Sequence, residues 1–86
     1  MVEKIKEKVG VVVIFDPQRA VPLPWRIRWR NRYYTITKVD FCHPVWEGKT
    51  LYHIYSVCDG NTFFRLAFNT KTQQWTLEEI SDGNPD

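Results

Sequence analysis

The chain reads as a small all-β domain, and three observations predict it. Apolar and polar residues alternate with a period of two through Leu23–Trp29 and again at Trp75-Thr76-Leu77, the period of a half-buried strand. Asn31, Asp59-Gly60-Asn61 and Asn69–Gln74 punctuate those runs as turns. Four Trp, four Tyr and five Phe in 86 residues, with many β-branched side chains, favour sheet over helix. A chain of this length forms one domain and buries roughly 60–65% of its unfolded surface.

Met1 to Lys8 is charged and weakly patterned; with Ile5 and Val9 it fits a short helix or an extended lead-in, and it is left unassigned. Val11-Val12-Val13-Ile14-Phe15 is a β-branched run between Gly10 and Asp16-Pro17, expected as the first strand, covered on both faces or closing a barrel. Asp16–Pro22 connects. Pro22 and Pro24 restrict the start of the next strand to an edge or to positions that need no amide.

The hairpin Leu23–Thr37 is the part around which the rest is organised. Leu23, Trp25, Ile27 and Trp29 share one strand face, and Arg26, Arg28 and Arg30 share the other. Asn31 tolerates positive φ, so the chain reverses near Arg30-Asn31. A two-residue loop sets Trp29 against Arg32, Ile27 against Tyr34 and Trp25 against Ile36. A four-residue loop also keeps the apolar residues together, whereas a three-residue loop sets Ile27 and Trp25 against threonines and is rejected. After Ile36 the next apolar residues are Val39 and Phe41, a phase shift that a bulge near Thr37-Lys38 accounts for.

Cys42–Lys49 is expected as a longer loop in which Trp46 either packs or makes a contact. Leu51–Cys58 and Thr62–Phe68 form a second hairpin, with Val57 facing Phe64 and Tyr55 facing Leu66 as the central core. Phe68 then opposes Trp75, and Leu66 opposes Leu77. Residues 9–80 therefore make a single domain, an antiparallel meander of five or six strands curled into a partly closed barrel, and 81–86 is an acidic tail expected to be disordered.

The net charge of +2 hides an asymmetry. Arg19, Arg26, Arg28, Arg30, Arg32 and Lys38 fall in a stretch without acids, while Glu78, Glu79, Asp82 and Asp86 crowd the C-terminal end. Such a distribution draws phosphates or an acidic partner to the middle of the chain. No apolar run approaches the ~18–20 residues that span a bilayer, and Val9–Phe15 lacks a small-residue cleavage site. The expectation is a soluble cytoplasmic protein with no membrane partner, its two cysteines reduced.

Pro22, Trp25, Trp29, Arg32, Tyr34, Ile36 and Val39, then Tyr52, Ile54, Phe64-Arg65-Leu66 and Trp75-Thr76-Leu77, together resemble a group of small bacterial domains of unknown function. Those domains carry a Trp-x-Gly-Arg-x-Tyr-x-Val core and a late Trp-x-Leu. The resemblance runs from Pro22 to Ile80, with Asn31 where the motif has glycine. It implies the all-β fold and brings no activity with it.

Arg26, Arg28 and Arg30 at alternate strand positions stand about 6–7 Å apart, close to the spacing of successive phosphates. Together with Arg32, Tyr33 and Trp46 they make a basic, aromatic candidate surface for single-stranded or structured nucleic acid. The bland alternative is a solvated face whose like charges discourage aggregation. A second functional reading is a protein-interaction module that offers Trp46 and the arginines to an acidic partner. Trp25, Trp29 and Trp75 lie in phase with aliphatic neighbours and read as core.

Cys42, His43, His53 and Cys58 have the wrong spacing for a zinc knuckle, so no metal or cofactor is expected. Asp40, His43 and His53 are the only polar group from which a catalytic site could be assembled, and nothing in the sequence joins them. The expectation is a non-enzymatic binding module of open oligomeric state.

Overall fold

The structure, a computed structural model, describes residues 1–82. Seven antiparallel strands form one open sheet: β1 (Val2–Ile14), β2 (Leu23–Trp29), β3 (Arg32–Thr35), β4 (Lys38–Glu47), β5 (Thr50–Cys58), β6 (Phe63–Asn69) and β7 (Trp75–Ser81). Their order is β3-β2-β1-β7-β6-β5-β4. The all-β antiparallel meander is as expected, with more strands than the five or six anticipated. The extra strand content comes from Met1–Lys8 and from Cys42–Lys49, which β1 and β4 largely take up.

Met1–Lys8 is not a separate lead-in, since β1 begins at Val2. Ile5 and Val9 turn toward the core while Lys4, Lys6 and Lys8 turn to solvent, so the lysines are the outer half of a strand alternation. A bulge between Lys4 and Glu7, with Lys6 at φ 54°, bends the strand. β1 pairs with β7 from Val2 to Val9 and with β2 from Gly10 to Ile14, so one long strand serves both halves of the sheet. Val11 and Val13 pack inward, whereas Val12 and Ile14 are exposed, which corrects the expectation of a strand covered on both faces.

The β2–β3 register is that of the two-residue loop: Trp29 opposes Arg32, and Ile27 opposes Tyr34. Arg30 (φ 51°) and Asn31 (φ 62°) both occupy the left-handed region, the signature of a type I′ turn. The phase shift after Ile36 has a different cause from the bulge expected at Thr37-Lys38. Ile36 N–H still donates to the Trp25 carbonyl (2.8 Å), but Thr37 N–H donates to the Cys58 carbonyl (2.8 Å). The chain changes partner there and crosses to the opposite edge of the sheet as β4, with a bulge between Val39 and Phe41.

The expected loop Cys42–Lys49 is mostly strand, closed by a Gly48-Lys49 turn with Gly48 at φ 60°. Pro44 is tolerated because β4 is an edge strand, where one amide can be missing without breaking an inner ladder. Pro24 sits in β2 opposite Val13, at an irregularity in the β1–β2 pairing. This is the second of the two placements anticipated for it.

The β5–β6 hairpin closes as expected, Val57 opposite Phe64 and Tyr55 opposite Leu66. Asp59 Oδ1 accepts from Asn61 N–H (2.9 Å) and Thr62 N–H (2.7 Å), and Gly60 supplies φ 104°. Leu66 opposes Leu77 and Phe68 opposes Trp75 on β7. Asn69 repeats the Asp59 device at the next turn, its Oδ1 accepting from Lys71 and Thr72 N–H.

Curling brings the inner faces together around Ile27, Ile36, Tyr55, Val57, Phe64, Leu66, Trp75 and Leu77. Tyr34 against Phe64 (ring centroids 5.3 Å) joins the β2–β3 hairpin to the second half, and Trp75 packs on Tyr55 (5.2 Å) and Phe68 (4.7 Å). The Tyr55 hydroxyl donates to the Pro22 carbonyl at 2.5 Å, so the chain entering β2 is fastened to the middle of the core. Ser81 belongs to β7, Asp82 bonds the Met1 amino group at 2.8 Å, and the rest of the expected tail, 83–86, lies outside the described residues.

Candidate binding face

The outer surface of β1, β2 and β3 is built by parity and then altered by one irregularity. Opposite residues share a face, so Arg28 stands beside Tyr33 on β3 and Gly10 on β1, and Arg26 beside Thr35 and Val12. Between Val12/Arg26 and Val13/Pro24 the register advances by one residue on β1 and two on β2. Trp25 is the extra residue, and the bulge takes its ring out of the core side to 41% exposure. Reading Trp25 as core is thereby corrected; Trp75 is buried and Trp29 is partly buried.

The Arg26 guanidinium lies 4.7 Å from the Trp25 ring centroid and 5.7 Å from that of Tyr33, whose own exposure is 62%. Two exposed rings therefore flank a half-buried cation, in the range where the ring quadrupole attracts it. Its Nε is buried without a hydrogen-bond partner among the described residues, a donor left unmatched where the rings cover it. Arg28 is exposed next to them. β2 and β3 contain no acid, and Glu7 of β1 shares the inner face with its opposite residue Leu77.

Arg30 does not extend the ladder. It sits in the turn and reaches Glu7 (2.7 Å), stacking at 4.4 Å over Trp29, whose indole N–H donates to the same carboxylate at 3.0 Å. Those two hydrogen bonds, from Arg30 first and Trp29 second, hold the Glu7 carboxyl below its usual range. Arg32 opposes Trp29 on the other face and lies 5.9 Å from the Tyr34 ring. Of the four arginines, Arg26 and Arg28 share the face with Tyr33, while Arg30 and Arg32 border the turn.

Trp46 is 65% exposed but belongs elsewhere. It lies at the far end of β4, roughly 25 Å along the strand from Lys38. No cation or ring contact joins it to the arginines among the described residues. Trp25, in phase with the core in the sequence, is instead the tryptophan that joins the arginines of this face. Its signal was present in Pro24, which cannot fill a regular place in an inner ladder and so favours a nearby bulge.

The polar residues considered for metal or catalysis do not converge. His43 packs edge-on to Phe41 (4.8 Å), His53 lies parallel to Phe68 at 6.4 Å, and Asp40 pairs with Lys38 at 3.1 Å. Cys42 opposes Tyr55, and Cys58 Sγ accepts from Gly60 N–H at 3.2 Å; both are free thiols. Among the described residues no three His, Cys, Asp or Glu side chains are grouped to hold a metal ion. Burial pushes the Tyr55 phenol well above the ordinary tyrosine range, and Cys42 adds to the shift. Burial also raises the Cys42 thiol.

No helix among the described residues is long and apolar enough to cross a membrane. Comparison of the chain with protein-family models, with curated proteins and with solved structures finds no match.

Proposed function

We propose that the protein is a non-enzymatic module that binds single-stranded nucleic acid on the outer face of β1–β3. The observation that carries this reading is the Trp25–Arg26–Tyr33 stack with Arg28 beside it, on a face whose strands present no carboxylate. Exposed rings offer stacking to unpaired bases, and the neighbouring guanidinium groups offer bidentate contacts to phosphate. A duplex, its bases already stacked, would use the charge and leave the rings idle. The resemblance to small bacterial domains is compatible with this reading, and the free thiols Cys42 and Cys58 suit a reducing compartment such as the cytoplasm.

The test is a fluorescence titration of labelled, mixed-sequence single strands at low salt, with a duplex alongside. Saturable binding is expected, with log affinity falling by about 0.7 per contacted phosphate for each decade of salt. Arg28→Ser should reduce the slope by about that amount, and Tyr33→Ala should weaken binding roughly tenfold through lost stacking. Absence of binding at about 50 μM protein, or equal affinity for duplex and single strand, would remove the proposal.

A further inference from the structure

β1 changes partner in mid-strand, and the change leaves an edge. Its ladder with β7 ends at Val9–Trp75, beyond which β7 gives way to the turn that Asn69 and Gln74 close. From Gly10 to Ile14, β1 is paired with β2 alone. On its other side the backbone of this segment has no ladder partner among the described residues. Two hollows follow that side. One, of ≈ 340 Å³, separates Gly10 and Val11 from Gln73 and Gln74; the next, of ≈ 310 Å³, is lined by Val13, Phe15, Pro22, Phe68 and Trp75, with Thr70 and Gln73 as its polar side. Phe15, at the rim of the second, is 76% exposed.

We infer that the Gly10–Ile14 edge receives an extended segment of a partner protein as an added strand, with one large apolar side chain of that segment seated between Phe15, Phe68 and Trp75. An open ladder asks for alternating N–H and C=O groups at strand spacing, which a polypeptide supplies and a nucleic acid does not. The neighbouring apolar hollow gives the added strand its side-chain preference, and Phe15 gains a surface to cover. Lys8 lines the first hollow, and no carboxylate lines either one. Asp16, next to Phe15, is turned onto Gln18 N–H at 2.9 Å. The segment that fits is therefore apolar at its anchor and acidic beside it. This site uses none of the residues assigned to the oligonucleotide.

The experiment uses the full chain, amide hydrogen exchange and blocked hexapeptides of sequence Glu-Thr-X-Thr-Val-Glu, with X as Leu, Phe, Trp or Ser. In the free protein, alternate amides of Gly10–Ile14 should exchange fast, and a peptide with an apolar X should slow them by about tenfold or more. N-methylation of the peptide should abolish binding at every second residue and be tolerated between, and both the Ser peptide and Phe15→Ser should weaken it about tenfold. Any of four results would overturn the inference. They are edge amides already protected in the free protein, no peptide of the panel bound at about 1 mM, indifference to the position of N-methylation, or protection of this edge by oligonucleotide or by self-association instead. Loss of oligonucleotide binding with peptide binding intact would count only against the function proposed above.

Discussion

The β5–β6–β7 ladder and the β2–β3 hairpin follow the same alternation and use their aromatic rings in opposite ways. In the ladder, Tyr55, Phe64, Phe68 and Trp75 turn inward and meet one another or Leu66 and Leu77. In the hairpin, Ile27 and Tyr34 turn inward, but Trp25 and Tyr33 are left outside with Arg26 between them. Tyr33 faces outward by plain alternation opposite Arg28, whereas Trp25 is put there by one added residue, the bulge that reverses its side. A single register step thus decides whether the Trp25 ring joins the core or the candidate binding face.

The contrast can be broken most forcefully in the ladder. Leu66→Ala, at a fully buried position between Tyr55 and Leu77, should cost about 3 kcal/mol in urea unfolding. Tyr55→Phe keeps the ring and removes its hydrogen bond to the Pro22 carbonyl, for an expected loss of about 1 kcal/mol. The same hydroxyl predicts a pH effect. Its folded-state pKa is raised, so its contribution is complete below the unfolded tyrosine value of about 10 and is lost as pH rises beyond it. Alkaline melts of wild type should therefore fall to those of Tyr55→Phe above that point and then below them, because the buried phenolate is penalised and phenylalanine does not ionise.

On the hairpin side the expected stability effects are smaller. Trp25→Ser should change stability by about 0.5 kcal/mol or less while weakening oligonucleotide binding; a loss as large as that of Leu66→Ala would erase the distinction between the two regions. Glu7 gives the finest test. Its carboxyl is held low by Arg30 and Trp29, so the stabilisation is present above the unfolded carboxylate range and disappears as pH falls through the lowered value. Thermal melts of wild type and Glu7→Gln should therefore differ most near neutrality and coincide in acid.

Much of this architecture is legible where local chemistry decides it. Asp59-Gly60-Asn61 and Arg30-Asn31 specify their turns by side-chain hydrogen bonds and positive φ, and parity then settles which partners face one another. Three features escape such reasoning because distant strands decide them. The Lys4–Lys8 alternation becomes strand through β7, Cys42–Glu47 becomes strand through β5 despite Pro44, and Ile36-Thr37 leaves its hairpin because the Cys58 carbonyl offers an acceptor on the far edge. The face is legible in Arg26, Arg28 and Tyr33. Arg30 is diverted by Glu7, Trp46 is carried away by β4, and Trp25 replaces it.

Placing β1 beside β7 has a consequence for how the chain finds its fold. Every other neighbouring pair in the sheet is consecutive in sequence, but this one joins partners as remote as Val2 and Ser81. Reopening the backbone at Ile36-Thr37 and tethering β7 to β1 would give the order β4-β5-β6-β7-β1-β2-β3, in which each strand meets its neighbour across a local connection. Such a permuted chain, with its closure entropy largely removed, should reach the same packing faster than the natural one.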